Sequence, residues 1–431
     1  MGARSTRLIL SLSKDEGQGM RNLLQIDARR YWSTVERSGE IGVGRPGGLQ
    51  RVALTDSDKE MRDLFVRWCR EAGCTVTVDG VGNIFARRRG EDDALPPVLV
   101  GSHLDTQVNG GRYDGIVGVL AGLELVRTLN DAGVATRRPV EIVCWTNEEG
   151  ARFAPPMIAS GAFAGVYPLD WVLARTDDDG KRLGDELRRI GYAGPAPVGG
   201  RGLDAYFELH IEQGPELDAR GIDVGIVTDT YKSHGFVIDV TGETAHTGPW
   251  PMDKRRNALV GAAMLAVAIN EIGWRHHPTG GKATAARLVA WPNKPGIISD
   301  YAQFTGDVRH RDPAVAGTMA EEFKAAIRDC AARANVDMAI TGTWTFGDER
   351  FDPGCIALIR EAARSLGIAT MDIASQAGHD AYHLSKVAPT AMIFTPCRSG
   401  ITHNNNEHAD LARTVPGVNV LLHAVLARAN R

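Results

Sequence analysis

Four short stretches, together with the mouth of one helix, concentrate histidines and carboxylates at spacings suited to metal-assisted chemistry. GSHLDT carries His103 and Asp105. Two residues apart on extended chain, their side chains share a face, which places the Asp105 carboxylate to accept a proton from the far imidazole nitrogen of a metal-bound His103. Asp114 follows in GGRYDGIVG. Alone it reads as a helix N-cap, and its charge argues against a phosphate-binding glycine loop at that helix start. TNEEGARF brings Glu148 and Glu149, adjacent and so pointing in different directions. One can ligate a metal while the other serves as general base; the competing reading is two acids facing a helix N-terminus. ELHIEQG holds His210, which alone reads as a core histidine, and GITHNNNEH holds His403 in what alone reads as a surface loop. Together the stretches supply three histidines and three carboxylates, the set needed by two divalent ions sharing one carboxylate, with a general base beside them.

The elements that carry these residues follow from hydrophobic periodicity. Pro97 to Gly101, Val140 to Trp145, Tyr206 to Ile211 and Ala391 to Thr395 are apolar runs that read as buried strands. An amphipathic helix with Ile116, Val119, Leu123 and Val126 on one face follows Asp114. Strands alternating with helices imply an α/β domain with a mainly parallel sheet, and each of the four stretches falls at or just past the carboxyl end of a strand, where ligands bind in such sheets. Between His234 and Phe346 the pattern changes to β-α-β-β-α-β, with helices over Asp253 to Ile272 and Pro313 to Ala334, the split βαβ arrangement. The reading is an α/β domain in two parts, residues 20–232 and 347–431, interrupted by an inserted ferredoxin-like α+β domain, residues 233–346. Residues 1–19 have a basic start and an apolar stretch too short for a signal peptide core, and read as a disordered extension with Met20 as an alternative start.

Composition narrows the class. The 431 residues hold 49 Lys plus Arg against 53 Asp plus Glu, a balance that argues against nucleic-acid or anionic-membrane binding. With 43% hydrophobic and 24% charged residues the chain is of ordinary globular type, and no apolar run reads as a membrane span. Six cysteines without a CxxC pair suggest reduced thiols and a cytoplasmic location.

GSHLDT, GGRYDGIVG, TNEEGARF, ELHIEQGPELD, AHTGPWPMDKRRNAL, AGHDA and GITHNNNEH occur in the order seen in the hydantoinase/carbamoylase amidases, and from about Asp27 onward the chain resembles that family. It is a branch of the di-zinc aminoacylase/carboxypeptidase superfamily that includes N-carbamoyl-L-amino-acid hydrolases, β-ureidopropionases and allantoate amidohydrolases. The resemblance implies a catalytic domain with an inserted lid that also forms a homodimer. It implies two divalent ions, zinc first, with manganese or cobalt as alternatives. One ion falls to His103, Asp114 and His210 and the other to Asp114, Glu149 and His403, with Glu148 as general base and His246 as oxyanion stabiliser. Gln213, Arg309, His379 and Gly400 match substrate-contact positions. Arg309 also lies on the polar face of AQFTGDVRH, where a guanidinium can fork onto a carboxylate.

Three positions depart from the family's pattern: Gly296 stands for an asparagine, Asn405 for a proline, and Gln376 for a glycine in SGAG. No metal ligand is affected. The expected reaction is hydrolysis of the ureido C–N bond of N-carbamoyl-L-amino acids, or N-carbamoyl-β-alanine, to amino acid, carbon dioxide and ammonia. Alternatives are an allantoate amidohydrolase, a peptidase or aminoacylase, and a non-enzymatic binding protein on the same scaffold, against which the intact Glu148 and ligand set speak.

Overall fold

A computed structural model describes residues 23–431; the expectation for residues 1–19 falls outside them. Two compact units are present. The first comprises the chain up to Val227, Phe351–Asp372 and His379–Arg431, and the second Thr228–Arg350 with Ile373–Gly378.

The first unit is built on an eight-stranded sheet. In chain order its strands are β1 (Thr75–Val78), β2 (Ile84–Arg88), β3 (Val98–His103), β4 (Val140–Trp145), β5 (Ala205–Ile211), β6 (Val224–Thr230), β11 (Thr370–Ser375) and β12 (Thr390–Thr395). They lie side by side as β1-β2-β4-β3-β5-β12-β6-β11. The four central strands, β4-β3-β5-β12, pair in parallel, while β1, β2 and β6 join antiparallel. All four central strands are buried along their whole length. That burial is why they read as continuous apolar runs rather than alternating ones. Helix Ile116–Asp131 covers β3 and β5 with buried Ile116, Val119, Leu123 and Val126. It lies so close that a methyl on Gly118 would stand 2.1 Å from the Leu209 carbonyl oxygen. Helix Leu411–Ala429 packs on β5 and β12.

The second unit runs β7 (Lys232–Thr241), helix Ala258–His276, β8 (Lys282–Trp291), β9 (Tyr301–His310), helix Pro313–Ala334 and β10 (Asp337–Phe346). Its sheet has the order β10-β7-β9-β8 with every pair antiparallel, which is the ferredoxin-like arrangement. Leu265, Ile269, Phe304 and Phe323 form part of its own core. The helix expected from Asp253 begins instead at Ala258. A short 3₁₀ turn, Met252–Lys254, precedes it, Arg255 reaches back to the Thr247 and Trp250 carbonyls, and the Asn257 side chain accepts the Val260 N–H as the true N-cap. Ala258–Thr279 is long and apolar enough, by length and composition alone, to cross a membrane. In the fold, one face buries Ala262, Leu265, Ile269 and Ile272, while Leu259, Val260, Val267 and Trp274 stay exposed.

Candidate metal centre

The carboxyl ends of the parallel strands bring the first stretches together. His103 is the last residue of β3, Glu148 and Glu149 follow β4, His210 is the penultimate residue of β5, and His403 lies in the loop after β12. Ligand atoms of His103, Asp114 and His210 lie within 4.8 Å of one another, as do those of Asp114, Glu149 and His403, so Asp114 belongs to both groups.

Tautomers decide what this arrangement holds. His103 Nδ1 lies 2.9 Å from the Asp105 carbonyl oxygen and His210 Nδ1 2.9 Å from the Ile211 carbonyl oxygen. A carbonyl only accepts, so both Nδ1 atoms carry hydrogen and, in the neutral rings, both Nε2 atoms present lone pairs. Those two Nε2 atoms face the same oxygen, Asp114 Oδ1, at 3.7 and 3.0 Å, and that buried oxygen has no hydrogen-bond partner. The Gly115 N–H also donates to His210 Nε2, at 3.1 Å, and the nitrogens and the carboxylate oxygen together form a donor set that a metal ion or an added proton can satisfy. Burial works against a charge on His210, but Asp114 outweighs it and pushes the pKa up to about 9. Burial likewise opposes the charge on Asp114, while His210 and His403 outweigh it and hold that carboxyl well below the usual range. His103 is held down by burial. His403 Nε2 lies 3.3 Å from Asp114 Oδ2 and 3.2 Å from Glu149 Oε2, and its φ of 52° is left-handed backbone, a strained state for a non-glycine residue.

Glu148 is buried, with Oε2 3.5 Å from His103 Nε2. Burial first, then the Asp380, Glu149, Asp105 and Asp114 carboxylates, hold its carboxyl well above the usual range. The donor set, the shared carboxylate and the unpartnered Asp114 oxygen fit divalent-metal binding.

Asp105 requires a correction. The proton of His103 goes to its backbone carbonyl, not to its carboxylate, which instead accepts the N–H groups of Glu148 and Glu149 at 3.3 Å each. Once β4 ends at Trp145 those amides have no strand partner, and a buried carboxylate is a strong acceptor for them.

Gln213 donates to Asp114 Oδ2 at 2.8 Å and lies 3.3 Å from His403 Nε2, so it touches members of the candidate ligand groups themselves. His379 is buried with its ring 4.4 Å from that of His210, and its Nε2 has no partner. Gly400, with φ 66°, packs its backbone on Gly214 and Pro215 so closely that a Cβ would lie 2.3 Å from the Gly214 carbonyl carbon. In the second unit, His246 is exposed and its Nδ1 accepts the Gly248 N–H, which leaves Nε2 as the N–H end of the neutral ring. Arg309 is clamped: Asp307 Oδ1 takes Nε at 2.8 Å and NH2 at 2.7 Å, and the Gln376 carbonyl takes NH1 at 3.0 Å. One N–H on each terminal nitrogen stays outside those contacts.

The three departures each have a local setting. Asn405 donates to the Pro46 carbonyl, a bond proline cannot make. The Gln376 side chain meets Lys282. Gly296 has φ 87° with open space where a side chain would start, and its carbonyl accepts the Thr247 N–H beside His246.

Glu208, Asp380 and Glu407 add three buried carboxyl groups that sequence reasoning passed over. Glu208 accepts the Ser102 and Tyr206 hydroxyls and the Ala381 N–H. Its signal was present, since Tyr206, Glu208 and His210 alternate along one face of β5. Although Glu208, His210 and His379 have ligand atoms within 4.8 Å, these donors occupy both Glu208 oxygens.

The chain is similar to known proteins along nearly its whole length. Residues 99–427 match the model of peptidase family M20/M25/M40. The chain is 42% identical to the N-carbamoyl-L-amino-acid amidohydrolase of Rhizobium meliloti over 94% of this chain and 97% of that one. It is 29% identical to the ureidoglycolate hydrolase of Arabidopsis thaliana, over 92% of this chain and 86% of that one. A crystal structure of a hydantoinase/carbamoylase family amidase from Burkholderia vietnamiensis superposes with a TM-score of 0.91 at 49% identity, covering 95% of this chain and 98% of that one. This chain belongs to peptidase family M20/M25/M40.

Proposed function

We propose that the protein is a di-metal amidohydrolase that cleaves the ureido C–N bond of N-carbamoyl-L-amino acids. The observation that carries the metal reading is the pair of histidine and carboxylate groups that share Asp114, whose buried Oδ1 has no hydrogen-bond partner. The substrate class is supported by the near full-length similarity to a carbamoyl-amino-acid amidohydrolase.

His103, Asp114 and His210 would hold one ion and Asp114, Glu149 and His403 the other, with zinc the first choice for these nitrogen and oxygen donors and manganese or cobalt the alternatives. Divalent cations at these positions supply Lewis acidity toward a carbonyl oxygen and bring the pKa of water toward neutrality. Glu148 takes the proton of the attacking water and delivers it to the departing nitrogen. The bond to the terminal nitrogen breaks, ammonia leaves, and the carbamate loses carbon dioxide to give the amino acid. The Nε2–H of His246 is the donor assigned to the developing oxyanion. Arg309 is assigned to the substrate carboxylate through its two uncommitted N–H groups, with Gln213, His379 and Gly400 as further substrate contacts. The exposed apolar face of helix Ala258–His276 and the neighbouring Leu288 and Val289 on edge strand β8 support a homodimer through the second unit. Six buried, unpaired cysteines support a reducing, cytoplasmic setting.

The test is ammonia release after reconstitution with zinc, manganese or cobalt, across L- and D-carbamoyl amino acids, N-carbamoyl-β-alanine, allantoate, ureidoglycolate and dipeptides. Preference for L-carbamoyl amino acids is expected. Turnover confined to allantoate or ureidoglycolate would move the enzyme to the ureide branch, and dipeptide cleavage without ammonia release would make it a peptidase.

A further inference from the structure

Glu407 lies in a loop that reads as surface, yet it is 4% exposed. Its Oε1 accepts two backbone N–H groups from a different segment, those of Tyr113 at 2.8 Å and Asp114 at 3.1 Å. Its Oε2 is buried without a partner. The segment Gly110–Asp114 is wrapped around this carboxyl group. A methyl on Gly111 would stand 1.9 Å from the Glu407 carboxyl carbon and 2.0 and 2.2 Å from its oxygens, although the Gly111 backbone itself is of a kind that alanine adopts. The same two loops meet again through a third segment, since Gly110 exchanges both backbone hydrogen bonds with Leu49 at 2.9 Å and Asn405 binds the Pro46 carbonyl.

The chain therefore fastens the loop bearing His403 to the backbone of the residue shared by both ligand groups. We propose that Glu407 is a positioning residue: by accepting the Tyr113 and Asp114 N–H groups it fixes the peptide from which the bridging carboxylate projects, and so sets the affinity of both ion positions. The inference rests on the metal reading above. The acting feature is an acceptor at that distance, which separates three substitutions. Glutamine keeps Oε1 and the side-chain length. Aspartate keeps the acid but withdraws it by one methylene. Leucine keeps the bulk without any acceptor.

The experiment measures zinc affinity of the metal-free full chain by competition with a chromogenic chelator, together with thermal unfolding of the same metal-free proteins. Wild type is measured first. If it takes up no zinc, the metal reading itself falls. If it does, Glu407→Gln should stay within about threefold of wild type, whereas Glu407→Asp and Glu407→Leu should lose about 10- to 100-fold, the usual effect of groups that orient metal ligands. Should Glu407→Leu fail to fold, Glu407→Asp carries the comparison. A merely structural role would lower the unfolding temperature without this ordering of affinities. Wild-type affinity in Glu407→Asp, or a loss in Glu407→Gln equal to that in Glu407→Asp, would overturn the proposal.

Discussion

At the scale of single residues, the proposed ion positions would set protons and metal in competition for the same histidine nitrogens. His210 is held at a pKa of about 9 by Asp114 against the opposing effect of burial, so near pH 7 it is protonated in the metal-free protein. Zinc must then displace that proton, and ion affinity should rise with pH between 6 and 8 by about tenfold per unit for each proton displaced. Chelator competition at several pH values measures the slope, to which His403 also contributes, since Glu149 and Asp114 outweigh burial and push it up to about 11; a flat profile would remove both histidines from the ligand set. His103 should add less to the slope, because burial holds its pKa down. Glu148 and its neighbour separate by a different measurement. Glu148→Gln should keep zinc and fold while losing about 100- to 10,000-fold in kcat, whereas Glu149→Gln should lose zinc. Near-normal turnover in Glu148→Gln would refute its role as base.

At the scale of elements, the site depends on how closely a helix lies on a strand. Gly118 touches the Leu209 carbonyl, one residue before His210, and the same helix begins next to Asp114. Gly118→Ala should therefore push the helix off β5, costing about 1–3 kcal/mol of stability and weakening zinc binding as well. Gly317, on helix Pro313–Ala334, has open space around it, so Gly317→Ala should instead stabilise by about 0.4–1 kcal/mol. Thermal unfolding of the metal-free proteins decides both. These contacts also show what could be read in advance. The four central strands were legible because burial on both faces makes them uninterrupted apolar runs, and helix Pro313–Ala334 because a proline in the first turn marks its start. By contrast β1 reads as TVTV, with an exposed-to-intermediate alternation, and it carries no chemistry to draw attention to it. The three histidines and Asp114 were legible by type and spacing. Glu407 was not, because its burial is created by a segment some 290 residues away. The Asp105 carboxylate was misplaced because a face argument along β3 does not foresee the unpaired amides that follow β4.

At the scale of the molecule, the second unit's exposed apolar helix face calls for cover. If a second copy supplies it, Val267→Glu combined with Trp274→Glu should convert a dimer to monomers in sedimentation while leaving zinc uptake unchanged, because every residue of the ligand groups lies in the first unit. A wild-type monomer would end the homodimer reading. The cysteines have a consequence of another kind. Burial pushes the Cys144, Cys355 and Cys397 thiols up to about 12, and Cys69, Cys74 and Cys330 are raised as well, so the folded protein should be inert to alkylating reagents at neutral pH. Five of the six lie in the first unit, and Cys330 alone lies in the second. Each alkylated thiol then becomes a time stamp for the opening of its own unit. Mass spectrometry of protein held with an alkylating reagent at rising temperature should resolve modification at Cys330 from modification at the other five. Zinc should delay only the five, and their delay would record how much of the first unit's resistance to opening the ions provide.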